Sequence, residues 1–346
     1  MSDTVKTTLA AATEGLLALR EADGGWTGRL SSSALSTATA VRALARVNPQ
    51  AHHQLISAGR KWLSEHVNAD GAWGDTPQSR SNLPTTLLVW SALAGDASEV
   101  IPPAEKWLTD RIGSLEPKRI ASKLAEIYGA DRTFAAPILT MCAISGRLGD
   151  GAEAWDLVPP LPFELATLPH KSFRMLGMPV VSYALPALIA IGQVRHFHRP
   201  SRNPAVRIMR NMARHRTLKK LRKIQPMGGG FLEAAPLTSF VAMSLAEANL
   251  GDHAVTQSCV DFLTSNVRPD GSWPIDTNLS TWVTTLSVNA LAIGGELDKQ
   301  IAGEIADWLI SQHYTEVHPY THADPGGWAW SPLSGAVPDG DDTSGA

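Results

Sequence analysis

Short Asp-Gly-x-Trp turns recur along the chain, each between two helix-like stretches. The first is Asp23-Gly24-Gly25-Trp26, set in GLLALREADGGWTGRLSSSALSTATAVRALA. KWLSEHVNADGAWGDTPQSRSNLPTTLLVWSALA and CVDFLTSNVRPDGSWPIDTNLSTWVTTLSVNALA repeat it most closely. In both, an aromatic residue stands eleven positions ahead of the turn tryptophan, Trp62 before Trp73 and Phe262 before Trp273. In PMGGGFLEAAPLTSFVAMSLA, Phe231 takes the tryptophan's place, and a fifth copy, DPGGWAW, follows Trp308. Trp26 and Trp73 are 47 residues apart, and Phe231 and Trp273 are 42 apart. That is the length of a two-helix unit, which cannot bury its apolar side alone and stacks on its neighbours.

Within the second helix of a unit, apolar residues return at helical intervals, as in Thr284, Leu286, Val288, Leu291 and Ala292, and the small residues between them let helices approach closely. Turn glycines allow a backbone that few other residues tolerate, so the first helix can end sharply. Alternation with period two is nowhere sustained, so the fold is expected to be all-α. Helix pairs of this kind either run on as an open solenoid or close into a ring, and periodicity leaves that choice open.

The period breaks between about 152 and 200. WDLVPPLPFELATLP is too rich in proline for one helix. The apolar MLGMPVVSYALPALIAIG follows, then a basic run from Arg195 to Lys223, and no acidic residue occurs between Glu164 and Glu233. Two readings are open: a buried helix pair beside a solvated basic helix, or a surface that lies on anionic lipid. In the second, Leu185, Leu188 and Ile191 enter the interface while Arg195, Arg199, Arg202 and Arg207 meet head groups. Nucleic acid is disfavoured, because stacking aromatics are not interleaved with the cations beyond Phe197. A formal net charge of -3 over 346 residues also implies no polyanionic partner. Cys142 and Cys259 match no metal-ligand spacing and sit in apolar runs, as buried thiols do. The amino-terminal stretch reads neither as a signal peptide nor as a membrane span, which places the protein in the cytoplasm or on a membrane.

Three carboxylates crowd into PDGDDTSGA: Asp339, Asp341 and Asp342. Like charges raise the pKa of at least one member, and a neutral carboxylic acid in an apolar site is a strong proton donor. Adjacent aspartates also hold Mg²⁺ in many proteins, but a second acidic cluster at helical spacing is absent from the sequence. A third reading is an acidic tail that caps a helix. His313, His318 and His322 lie close by, and loop or supporting roles suit them better than zinc ligation.

The glycine-tryptophan repeats resemble the QW-type repeats of the class II triterpene cyclases, the squalene-hopene cyclase family. DPGGWAW leading to PDGDDTSGA is similar to the family stretch in which a Pro-Gly-Gly-Trp turn runs into an Asp-x-Asp-Asp motif, here Asp339, Gly340, Asp341 and Asp342. Asp270 to Ser287 is similar to the preceding repeat, and LPFELATLP to the family's Leu-Pro-x-Glu region. One departure is VSYALPA, with Tyr183 where the family has Ser-Trp-Ser-Arg; this weakens any inference of hopene as the product. The resemblance implies an α/α toroid, a barrel of helix pairs of the terpenoid cyclase/prenyltransferase type. It implies proton-initiated cyclisation of squalene or a related linear polyprene, with Asp341 as donor and Asp339 and Asp342 orienting it. No metal or cofactor is implied.

Further expectations follow from the same resemblance. Residues 10–300 would form a helical barrel domain with a membrane-facing segment at 152–223. Residues 301–346 would begin a second, catalytic barrel, with an extended or poorly packed tail from about 315. Family members continue well past the acidic motif. The chain is therefore expected to be the amino-terminal portion of a longer cyclase, inactive alone, and peripheral or monotopic on the cytoplasmic side of a membrane. Its partner would be the missing carboxy-terminal half or a second copy in a homodimer. The alternative is a non-catalytic helical repeat module that scaffolds a partner. A prenyltransferase β-like subunit ranks last, because neither cysteine has the company a zinc site needs.

Overall fold

The computed structural model describes residues 2–346 apart from 29, 97, 130, 132, 170–183 and 296. Its helices are α1 (Asp3–Ala18), α2 (Ala34–Val47), α3 (His53–Glu65), α4 (Leu83–Ala92), α5 (Ile101–Ile112), α6 (Pro117–Tyr128), α7 (Ala135–Ile144) and α8 (Gly151–Asp156). Then come α9 (Leu185–His198), α10 (Pro204–Ile224), α11 (Ala235–Glu247), α12 (Ala254–Ser265), α13 (Ser280–Gly294), α14 (Lys299–Ser311) and α15 (Gly340–Gly345). Among the described residues the only paired strands are β1 (Ser32–Ser33) and β2 (Trp273–Pro274), antiparallel and two residues long. The protein is all-α, as the sequence pattern predicts.

Two compact units form, one from residues 31–275 and one from residues 1–30 with 276–346. In the larger unit, α2 packs against α4 and α11, α4 against α7, α7 against α9, and α9 against α11. These five helices are rich in small and apolar residues, and most of their side chains are buried. Several of their hydroxyls bond back along their own helices, as Thr140 does to Ala136 O at 2.7 Å and Ser239 to Ala235 O at 2.7 Å. A second set covers them: α3 on α2, α5 on α4, α6 on α7, α12 on α11 and α10 on α9. Each of these buries one stripe only, such as Ile56, Gly59, Trp62 and Leu63 of α3. The smaller unit has its own core of Trp26, Leu291 and Ile305, with Leu16, Val288 and Leu309 packed against it.

One expectation fails here. The stretch after 315 is not a loose tail: Tyr320, Ala329, Ala336 and Val337 are buried. The fifth turn closes on itself through Tyr314 N–H to Gly327 O and Asp339 N–H to Trp328 O, at 3.0 and 3.2 Å. The apolar segment expected on lipid is in its described part the inner helix α9, with Ile191 fully buried and Leu185 and Leu188 half-buried. Its Arg195 and Arg199 are held by Asp156. Residues 170–183, including Tyr183, lie outside the described residues. No helix among the described residues is long and apolar enough to cross a membrane.

Candidate active site

One clasp builds every repeat. Two residues before each turn aromatic stands a glycine with positive φ, at 105°, 80°, 80°, 85° and 111° for Gly24, Gly71, Gly229, Gly271 and Gly326. A side chain there would be strained, so glycine is required. The aromatic's backbone N–H then donates to a threonine hydroxyl on a second helix. Trp73 reaches Thr86, Phe231 reaches Thr238 and Trp328 reaches Thr343, at 3.2, 3.0 and 3.0 Å. The indole N–H returns to the first helix, from Trp26 to Leu16 O, Trp73 to Leu63 O, Trp273 to Leu263 O and Trp328 to Leu309 O. The turn aspartates serve another helix. Asp70 accepts from the Trp107 indole at 2.8 Å and Asp23 from Trp308 at 3.1 Å. Burial pushes the Asp70 carboxyl up, but hydrogen bonds from Ser81 and Trp107 outweigh it and hold the group below its ordinary value.

Two clasps exchange partners. Trp26 donates to Thr284 of α13 at 2.9 Å, and Trp273 donates to Thr37 of α2 at 3.0 Å. The first turn is thus completed by a helix that follows it by 258 positions, within the smaller unit, and the fourth turn by α2, within the larger.

Threonine in the clasp stands four residues past the N-cap in α2, α4, α11 and α15, and this register fixes what the acidic motif is. Asp339 is the N-cap of α15. Its carboxylate accepts the Asp342 N–H at 2.8 Å, as Asn82 accepts from Thr85 and Ser33 from Ser36. Asp339 therefore does work that neutral residues do elsewhere. Asp342 departs from the pattern. It occupies the place of Thr85 and Ser36, is only 3% exposed, and its Oδ1 has no hydrogen-bond partner. Burial, reinforced by the neighbouring Asp339 and Asp341 carboxylates, raises its pKa from the ordinary 3.8 to about 7. Asp341 lies on the exposed side of the same turn.

The motif thus brings Asp339 and Asp342 into contact and leaves Asp341 facing outward. A half-protonated, buried carboxyl with a free oxygen can give a proton to a neighbouring base or alkene. In sequence all three aspartates look alike; only the helix start at Gly340 separates them.

Ser280 and Thr281 at the start of α13 also carry buried hydroxyls without partners, and Thr281 N–H bonds Trp330 O at 2.9 Å. The α13 and α15 helices pack together. Two open depressions in this unit, of about 370 and 580 Å³, are lined by other residues, the first including His313 and Tyr314 and the second Asp23 and Trp308. His318 is a brace: its Nδ1 accepts from Thr321 N–H at 3.1 Å, which leaves Nε2–H to donate to Ala336 O at 3.1 Å. His313 packs against the Trp328 ring. Among the described residues, no three His, Cys, Asp or Glu side chains are grouped to hold a metal ion. Both cysteines are buried and unbridged, with the Cys142 thiol pushed up to about 11 by burial.

Sequence reasoning missed the partner of Glu164. The LPFELATLP segment ends in a 3₁₀ turn (Phe163–Thr167), and Glu164 is buried there against Arg210 of α10 at 3.0 Å.

This is an all-helical protein with an acidic, partly buried helix start. Residues 2–92 match the family model for the squalene-hopene cyclase C-terminal domain, a distant relation over that stretch which does not reach Asp339–Asp342. No curated protein matches the chain. A crystal structure of a protein from Actinoplanes aligns with 77% of this chain and 82% of its own at 16% identity and a TM-score of 0.30. At that similarity it bears on neither fold nor site.

Proposed function

We propose that the protein works in proton-initiated cyclisation of squalene or a related linear polyprene, as a class II terpene cyclase or part of one. The observation that carries this is Asp342, a buried carboxyl with a free oxygen at the place where α2 and α4 carry the hydroxyls of Ser36 and Thr85. Family resemblance gives the donation to Asp341, while the geometry favours Asp342 as the member that keeps a proton at neutral pH. Asp339 holds the helix start. The carboxyl protonates a terminal alkene, the ring-closing cation forms in an apolar site, and loss of a proton or capture of water ends the sequence. Solvent then reprotonates the carboxylate. Support for an α/α toroid comes from the cyclic packing of α2, α4, α7, α9 and α11 and from the recurring clasp.

The test is gas chromatography of squalene incubated with the protein expressed from its whole reading frame. Cyclised product is expected, and its loss in the Asp341→Asn/Asp342→Asn double variant; no product, or an unaffected variant, rejects the proposal.

A second reading, a non-catalytic module that holds a partner helix, has one observation in its favour. Trp282, Leu286 and Ile293 of α13 are 41%, 54% and 89% exposed along one apolar face, and such a stripe is normally covered. A solution mass above that of the monomer, reduced by Leu286→Lys, with no turnover of squalene, selects this reading.

A further inference from the structure

Arginines crowd around the carboxy-terminal ends of the inner helices in the larger unit. Arg42 and Arg46 of α2, Arg60 of α3 and Arg147 just past α7 are all half-buried. Most of their bonds tie one helix end to another. Glu247, the last residue of α11, takes Arg46 of α2 and, at 3.0 Å, His198 of α9. Arg147 donates to Trp90 O of α4 at 2.7 Å and lies 3.9 Å from Glu105, which also accepts from the Trp90 indole. Arg42 donates through Nη2 to Ile144 O at the end of α7. These are caps on terminal carbonyls. What they leave over is one-sided. The buried Nε–H groups of Arg42 and Arg60 have no partner, and neither has the buried hydroxyl of Ser145, next to Ile144. Among the described residues neither Arg42 nor Arg60 is in an ion pair, because Glu247 and Glu105 are engaged by Arg46, His198 and Arg147. Burial and the neighbouring Arg46, Arg60 and Arg147 outweigh Glu247 and hold the Arg42 guanidinium below its ordinary pKa.

We propose that this cluster binds a small phosphate dianion, held by Arg42 and Arg60 with the Ser145 hydroxyl as a third donor. Like charges drawn partly out of water without a counter-ion are costly, and a bound anion removes that cost. Two arginines without a counter-ion match one dianion in charge. Their planar forks suit phosphate oxygens, which accept two parallel N–H bonds from one guanidinium. All three unpartnered groups can donate, so an acceptor fits where a metal ion does not. Half-burial leaves the cluster open to solvent on one side and strengthens attraction on the other. The inference rests on α2, α3 and α7 alone and does not depend on the proposed cyclisation.

Calorimetric titration of the protein, expressed from its whole reading frame, tests it in chloride buffer at fixed ionic strength. Inorganic phosphate is expected to bind saturably with one-to-one stoichiometry, and acetate is not. A parallel titration with glycerol phosphate separates the two sources: binding of both ions marks a site for phosphate esters, and binding of inorganic phosphate alone marks a site for the free ion. Arg60→Gln should weaken binding by about tenfold or more and Ser145→Ala by about fivefold. Lys219→Gln, on the exposed basic face of α10, should leave binding unchanged. Thermal unfolding separates a ligand site from a structural brace. Without phosphate, Arg60→Gln should unfold no lower than the parent, because it removes an uncompensated cation. Phosphate should raise the unfolding temperature of the parent and not of Arg60→Gln. Absence of saturable phosphate binding overturns the proposal, as does equal weakening by Lys219→Gln or unchanged binding by Arg60→Gln. An Arg60→Gln protein that is less stable than the parent without phosphate makes Arg60 a brace and overturns it too.

Discussion

A carboxyl buried as Asp342 is resists ionisation, and this couples the stability of the protein to pH. Below about pH 4 it is protonated whether the chain is folded or not. Between its ordinary value of 3.8 and its folded value of about 7, the unfolded chain releases the proton and the folded chain keeps it. Stability from this group therefore falls as pH rises through that window and levels off above it. Asp342→Asn should remove the slope, so that the variant gains on the parent steadily from pH 4 to 7 in thermal unfolding. Parallel curves for the two proteins would show that the carboxyl is not held neutral. Glu164 poses the opposite case, a buried charge met by a buried partner. Arg210→Ala should cost about 3–5 kcal/mol in urea unfolding, because it leaves Glu164 uncompensated. Replacing both by apolar residues, Glu164→Leu with Arg210→Met, should cost far less. None of this is legible in sequence, where Glu164 and Arg210 are 46 positions apart and nothing marks them as partners.

At the scale of the element, the sequence is informative about turns and poor about what closes them. Glycine two residues ahead of an aromatic states the turn plainly, since only glycine suits its positive φ. The clasp threonine is hidden because its distance from the aromatic varies, from Phe231 to Thr238 in one repeat and from Trp73 to Thr86 in another. Thr86→Val keeps the shape but strands the buried Trp73 N–H, and should lower stability by about 1–3 kcal/mol. A denaturant midpoint that falls with an unchanged slope checks it. Hydropathy also fails to separate α9 from a lipid-facing segment, because a helix enclosed by other helices and one facing lipid draw on the same residues. The acidic motif is visible as a cluster, but which carboxyl is buried depends on helical phase, set by Asp339 as N-cap.

Across the whole molecule, the repeats are not each folded from contiguous chain. Spacing suggests that the stretches around Trp26 and Trp273 are each complete two-helix units, yet the first turn is clasped by α13 and the fourth by α2. Each turn finds an equivalent threonine on the exchanged helix, so the local chemistry is the same and the pattern of residues cannot report the exchange. The acidic helix start belongs to the smaller unit, where Trp328 and Thr343 close its clasp. Its proposed chemistry leaves an isotopic mark, because the proton that starts cyclisation comes from a carboxyl in exchange with solvent and remains on carbon. Mass spectrometry of the product formed from squalene in D₂O, by protein expressed from the whole reading frame, reads that mark directly. Proton initiation predicts cyclised product carrying a non-exchangeable deuterium, with turnover lost in Asp342→Asn; undeuterated product, or undiminished turnover by Asp342→Asn, would contradict it.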